Sequence, residues 1–132
     1  MSEEEKEALA HRFHMDIFQK GDLAAADEIL APDFIWRGPS IPSELKRGPE
    51  GVKKIASAII DAMPNRQITH EDTIVKGDKV MIRWKVTGTP KKEVLGIPAS
   101  DKPITIIGFD LFRMSGDKID EMWQQFSIGS WS

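Results

Sequence analysis

The chain contains no cysteine and no tyrosine. Without cysteine there is no disulfide framework and no thiolate nucleophile. Without tyrosine there is no phenol to donate to a ligand oxygen, as many steroid and enol sites require. The longest apolar runs fall far short of the roughly 20 residues that span a bilayer, so no membrane segment is expected. No basic-then-apolar leader opens the chain, which begins Met1-Ser2-Glu3-Glu4-Glu5. Positive charge is slightly outnumbered. Lys and Arg number 18 against 21 Asp and Glu, for a net charge of −3, which argues against a nucleic-acid partner. A cytoplasmic protein is the expectation. What remains is 132 residues, 40% hydrophobic and 30% charged. That composition fits one globular domain over residues 1–132 with a single core.

Helical periodicity fills the first half. Ser2 and Glu5 form a capping box for a helix from Ser2 to Lys20. Leu9, Phe13 and Ile17 recur at helical spacing, as do Ala10, His14 and Phe18. Gly21 is the expected stop, and Asp22 the cap of a short helix from Leu23 to Leu30 that Pro32 ends. Phe34 to Arg37 reads as a short strand, and Gly38 to Arg47 as a loop at the mouth or surface of the domain. Pro49 opens a third helix whose apolar face is Val52, Ile55, Ala56, Ile59, Ile60 and Met63. From Gln67 the period becomes two. Strands Gln67–Lys76 and Lys79–Thr87 flank a Gly77-Asp78 turn. A longer connection runs from Pro90 to Pro103, and a final hairpin from Ile104 to Phe126. Three helices followed by four long antiparallel strands predict an α+β fold, with the helices on one face of a curved sheet.

The final hairpin carries the chemistry. Ile104, Ile106, Gly108, Asp110 and Phe112 share one face. A three-residue turn at Ser115-Gly116-Asp117 returns Met122, Gln124 and Phe126 to that face. Asp110 and Gln124 interrupt an apolar surface, and a buried carboxylate is costly unless it is hydrogen-bonded or functional. Gly108 leaves room beside it. The stretch admits two readings, the polar floor of a pocket or a structural aspartate satisfied by Gln124 or water.

Several short motifs recur in a telling order. They are Gly21-Asp22-Leu23, Leu30-Ala31-Pro32-Asp33-Phe34, Gly48-Pro49-Glu50-Gly51, Gly77-Asp78-Lys79-Val80, Leu95-Gly96-Ile97-Pro98, Phe112-Arg113-Met114 and Glu121-Met122-Trp123. From Leu9 to Phe126 this succession resembles the SnoaL-like polyketide cyclases, or ester cyclases, of the nuclear transport factor 2-like fold. The resemblance implies a cone-shaped antiparallel sheet around three helices, with an apolar pocket at its wide end. It also implies an aldol cyclisation that needs no cofactor or metal. The family's acid/base aspartate follows the position of Trp123, where this chain has Gln124. Its supporting histidine falls at Asp110. Pocket-lining helix positions fall at Phe18 and Ile55, both apolar here, as a flat hydrophobic ligand of up to polycyclic size requires.

The expected site is therefore Asp110 as base, Gln124 orienting it or holding a ligand carbonyl, and His14 as a second acid/base or donor group. Phe18, Trp36, Ile55, Ile59, Met63, Phe112, Met122 and Phe126 are the expected ligand contacts. His14 reads more simply as a helix-surface or partly buried residue. His70 reads as a pocket residue or, beside Asp72, as solvated sheet surface, and His11 as exposed. Three dispersed histidines give no metal site. The reaction class that follows is proton transfer next to a carbonyl, in a cyclase or isomerase. A non-catalytic binding module is the alternative, and an epoxide hydrolase, which needs a paired Asp-Arg-Asp set, the third. Ile107, Phe109, Leu111 and Trp123 make the opposite face of the hairpin too apolar for water, which predicts a homodimer through the last strands.

Overall fold

The computed structural model describes residues 1–132. Helix α1 (Glu3–Arg12) begins at the expected capping box. Ser2 Oγ accepts from the Glu5 N–H and the Glu5 carboxylate from the Ser2 N–H. The helix then widens. Phe13–Gln19 is π-helical, not the α-helical continuation that the spacing predicts. Both columns, Leu9-Phe13-Ile17 and Ala10-His14-Phe18, are buried. A wider turn stacks residues four apart more directly than an α-turn does, so one segment offers two adjacent columns to the core. Such turns are rare and concentrate at functional sites. Gly21, at φ +77°, ends the segment.

Helix α2 (Ala25–Ile29) is not capped by the Asp22 side chain. Asp22 supplies its backbone carbonyl instead, to the Ala25 N–H. Pro32 does not stop the helix but lies inside strand β1 (Leu30–Arg37), which is longer than the sequence suggests. β1 is a sheet edge, where a missing N–H is tolerated. Helix α3 (Gly48–Ala62) carries Pro49 in its first turn and buries Val52, Ile55 and Ala56.

Strands β2 (Gln67–Lys76), β3 (Lys79–Gly88), β4 (Ile104–Ser115) and β5 (Lys118–Ile128) form an antiparallel meander. β1 adds to β5 in parallel, giving the order β1-β5-β4-β3-β2. The helices pack on one face of this sheet and form a continuous core with it. This is the α+β, nuclear transport factor 2-like architecture that the resemblance implies.

Two bulges decide which side chains face that core. The last hairpin turns on two residues, Gly116 and Asp117, not three. A register shift after Arg113 inserts one residue in β5, so that Phe112 still faces Met122, Asp110 faces Gln124 and Gly108 faces Phe126. The inner face is therefore the expected one, reached by a tight turn plus a bulge. In β2 the register shifts between His70 and Asp72. His70 pairs with Trp84 on the inner face and Asp72 with Arg83 on the outer one. Strict alternation would have kept His70 and Asp72 together.

Gly108 does not leave open space beside Asp110. A Cβ there would overlap the Trp84 indole and approach the Gln125 carbonyl oxygen to 2.7 Å. Gly108→Ala should therefore overpack the sheet and cost about 1–3 kcal/mol in stability. Chemical denaturation checks this, and an unchanged midpoint would show that Trp84 moves aside freely.

Candidate functional site

A cavity of ≈ 90 Å³ lies between the helices and the inner sheet face. The π-segment contributes Phe13, His14 and Phe18; α3 and its end contribute Ile59 and Met63. Trp36, Trp84, Ile106 and Phe126 come from the sheet, and Leu95 and Ile97 close it from the connection after β3. Leu95 and Gly96 both have positive φ, +50° and +80°, in a tight turn held by reciprocal bonds between Val94 and Ile97. A leucine in that conformation is strained, and here the strained residue forms cavity wall.

The polar residues at this wall are few: His14, Gln124 and Arg66. Behind them lies a chain of titratable groups. The Asp110 side chain is 0% exposed and the His14 side chain 8%. His14 Nε2 lies 2.5 Å from Asp110 Oδ2, and His14 Nδ1 lies 2.7 Å from His70 Nε2. His11 packs against His70 with ring centroids 4.5 Å apart and bonds Thr73 Oγ1 through Nε2. A carboxylate facing Nε2 fixes the proton on that nitrogen, which leaves Nδ1 as the basic one. The second Asp110 oxygen, Oδ1, is buried without a partner. So are the indole N–H groups of Trp36 and Trp84.

Asp110 does not line the cavity directly. It stands behind His14, a correction to its expected place on the pocket floor. The β4 backbone aims it inward, but the two-column π-segment lays an imidazole across it. His14, Gln124, Phe18, Trp36, Ile59, Met63 and Phe126 do line the cavity. Ile55, Phe112 and Met122 do not; they are core residues at 0–1% exposure, closed over by their neighbours in the continuous core. Arg66 and Trp84 are wall residues that sequence reasoning did not single out. A hint was present for Trp84, an even-numbered residue in a strand whose even positions, Val80, Ile82 and Val86, are apolar. Nothing in the sequence pointed to Arg66. His70 is drawn into the site by the β2 bulge, and His11 is half-buried rather than exposed. No group of three or more His, Cys, Asp and Glu side chains has the geometry to hold a metal ion. No helix is long and apolar enough to cross a membrane.

His70 is held neutral. Burial first, then the neighbouring His14 and His11 rings, push its pKa from 6.5 down to about 3. The unfolded chain therefore binds a proton at this residue between pH 6.5 and 3 that the folded chain does not. Its contribution to stability is complete above pH 6.5 and is lost as pH falls through that window. His70→Gln should flatten the loss of stability between pH 6.5 and 5, above the range where carboxylates titrate. Thermal denaturation across that range tests it, and an unaltered slope would mean that His70 is readily protonated in the folded protein.

The chain is similar to known proteins over most of its length. The family model for SnoaL-like polyketide cyclases matches residues 8–127. No curated protein matches at a significant level. Among solved structures, TsrD from Streptomyces laurentii superposes with a TM-score of 0.82 at 24% identity, covering 96% of this chain and 91% of that one. A proposed polyketide cyclase from Bacillus cereus gives 0.75 at 26%, covering 93% and 74%. IdmH from Streptomyces antibioticus, also a proposed polyketide cyclase, gives 0.72 at 25%, covering 86% of each chain. The helices inside a curved sheet, the cavity beneath them and a match running from α1 to the end of β5 place this chain in the family of SnoaL-like polyketide cyclases.

Proposed function

We propose that the protein transfers a proton next to a carbonyl of a small apolar ligand, with His14 and Asp110 as the acid/base pair. The observation that carries this reading is a carboxylate wholly closed to solvent and bonded to a histidine in the cavity wall. A buried anion of this kind is costly. Its return is to orient the imidazole, hold its tautomer and stabilise the imidazolium formed when the ring takes a proton. His14 Nδ1, once it releases His70, removes the proton from the carbon beside the carbonyl. Gln124, opposite Asp110 in the register, donates to the oxygen on which negative charge develops. The enolate is then reprotonated at carbon, which is isomerisation, or attacks a second carbonyl whose alkoxide takes the proton back, which is aldol closure. The Gln at the family's acid position moves proton transfer to the neighbouring strand and to α1's extension.

The test is exchange of the α-protons of cyclopentanone in D2O, followed by proton NMR. Acceleration by the protein, lost in His14→Gln, is the expected result. No acceleration by the parent protein would sink the proposal. A second reading, a binding module of the same fold, is favoured by one observation. Both imidazole nitrogens of His14 are already bonded within the protein. Epoxide hydrolysis draws no such support, because Arg66, the arginine of the cavity wall, has no carboxylate partner and Arg113 pairs with Asp120 and Glu121 away from the cavity.

The working unit is proposed to be a homodimer joined through the outer sheet face. Phe109 is 42% exposed there and Met81 36%. A shallow depression joins them to Leu111, Trp123 and Pro39. Trp131 from the chain's own end packs on Phe109 at 5.1 Å, with Arg83 over its ring, and extends the apolar surface.

A further inference from the structure

Six arginines occur in the chain. Arg12, Arg37, Arg83 and Arg113 are paired with carboxylates, and Arg47 is exposed. Arg66 alone is buried, at 9% exposure, with no carboxylate partner. It lies where the π-segment and α3 end. Its Nε–H donates to the Phe18 carbonyl at 2.5 Å, Nη2 to Gln19 at 2.9 Å and Nη1 to Met63 at 3.3 Å. Gln19 in turn clamps the local backbone, donating to the Arg66 carbonyl and accepting from the Ile68 N–H. The partial negative charge at two helix ends makes the cation tolerable in the empty protein, but it is not a full counter-charge. Burial is the one cause acting on its pKa, and it acts downward; a guanidinium nevertheless stays charged. Of five N–H groups, one on each terminal nitrogen has no protein acceptor.

Arg66 is also a wall residue of the cavity. The other unpaired buried hydrogen-bonding groups among the wall residues are the Trp36 and Trp84 indole N–H groups, which are donors as well. The cavity wall thus carries a cation that lacks an anion. We infer that Arg66 is an anion subsite and that the ligand is a small apolar carboxylic acid. Its carboxylate sits on Arg66 and its apolar body lies against Ile59, Ile68, Val86 and Phe126. The inference deepens the proposed function by naming the ligand class. It rests on the cavity being a ligand site, and not on turnover. The ≈ 90 Å³ cavity is open on one side, so a short flexible acid whose tail can extend into the opening is the appropriate probe.

The experiment compares pentanoate with pentanamide, equal in shape and different in charge, by calorimetry at pH 7. Pentanoate should bind about tenfold or more tightly, the least that a close buried charge pair contributes. Arg66→Lys should keep a reduced preference and Arg66→Met should lose it. Because Arg66 also ties two helix ends, Arg66→Met could unfold, so the side-chain N–H resonances of Arg66 in the parent protein provide a second measurement. They should shift with pentanoate and not with pentanamide. Equal affinities, no binding of either probe, or unshifted Arg66 resonances would overturn the inference. Ketone exchange without acid preference sinks the anion subsite alone, and acid preference without exchange sinks the proton-transfer reading alone.

Discussion

Asp110→Asn is expected to slow α-proton exchange by about 100-fold or more, the usual size of one acid/base contribution. The substitution preserves shape and removes the charge. Asp110 is closed to solvent and touches His14 Nε2 at 2.5 Å, so the loss acts through the imidazole. An amide cannot hold the imidazolium as a carboxylate does, and its NH2 group can turn the ring toward the unproductive tautomer. Ligand affinity should change far less, because Asp110 is not a wall residue. The expected pattern is therefore a fall in kcat with KM nearly constant. His14→Gln should be equally damaging, and the double variant little worse than either, because the two act as a unit. Parent-level exchange by Asp110→Asn would end the catalytic proposal. A loss of ligand affinity without any turnover in the parent would establish the binding module instead.

The second large effect is on assembly. Phe109→Asp should convert the proposed dimer to a monomer, raising the dissociation constant by about 100-fold or more, because a charge inside the proposed interface is left unpaired. Phe109 is exposed on an outer face that also carries Met81, Leu111 and Trp123. It points away from the core, so the fold should survive the change, and an unchanged circular dichroism spectrum would verify that. Sedimentation of both proteins at micromolar concentration decides the matter. A monomeric parent would mean that Trp131, lying on Phe109, covers the patch sufficiently by itself.

The sequence by itself determined the architecture. The capping box at Ser2, the change of period at Gln67 and the Gly77-Asp78 turn are local signals, each read within a few residues. The motif order from Gly21 to Trp123 specified the family in the same way. Alternation also placed Asp110 and Gln124 opposite one another on the inner face, because a side-chain period of two survives a turn and a bulge that compensate each other. Tertiary structure decided how the site is assembled. His14, His70 and Asp110 are far apart in sequence and meet only when α1's extension crosses the sheet. The π-turn that presents His14, and the β2 bulge that turns His70 inward while Asp72 stays out, leave no residue-type signature at either place. Whether a position becomes wall or core was likewise beyond local reading. Ile59 and Ile55 are one turn apart on the same face of α3, and only the long-range packing around each makes one a cavity residue and the other core. Arg66 shows the same limit from the other side. Its surroundings are the carbonyls of two helix ends distant in sequence from one another, and long-range packing, not local spacing, brings a lone cation to the cavity wall.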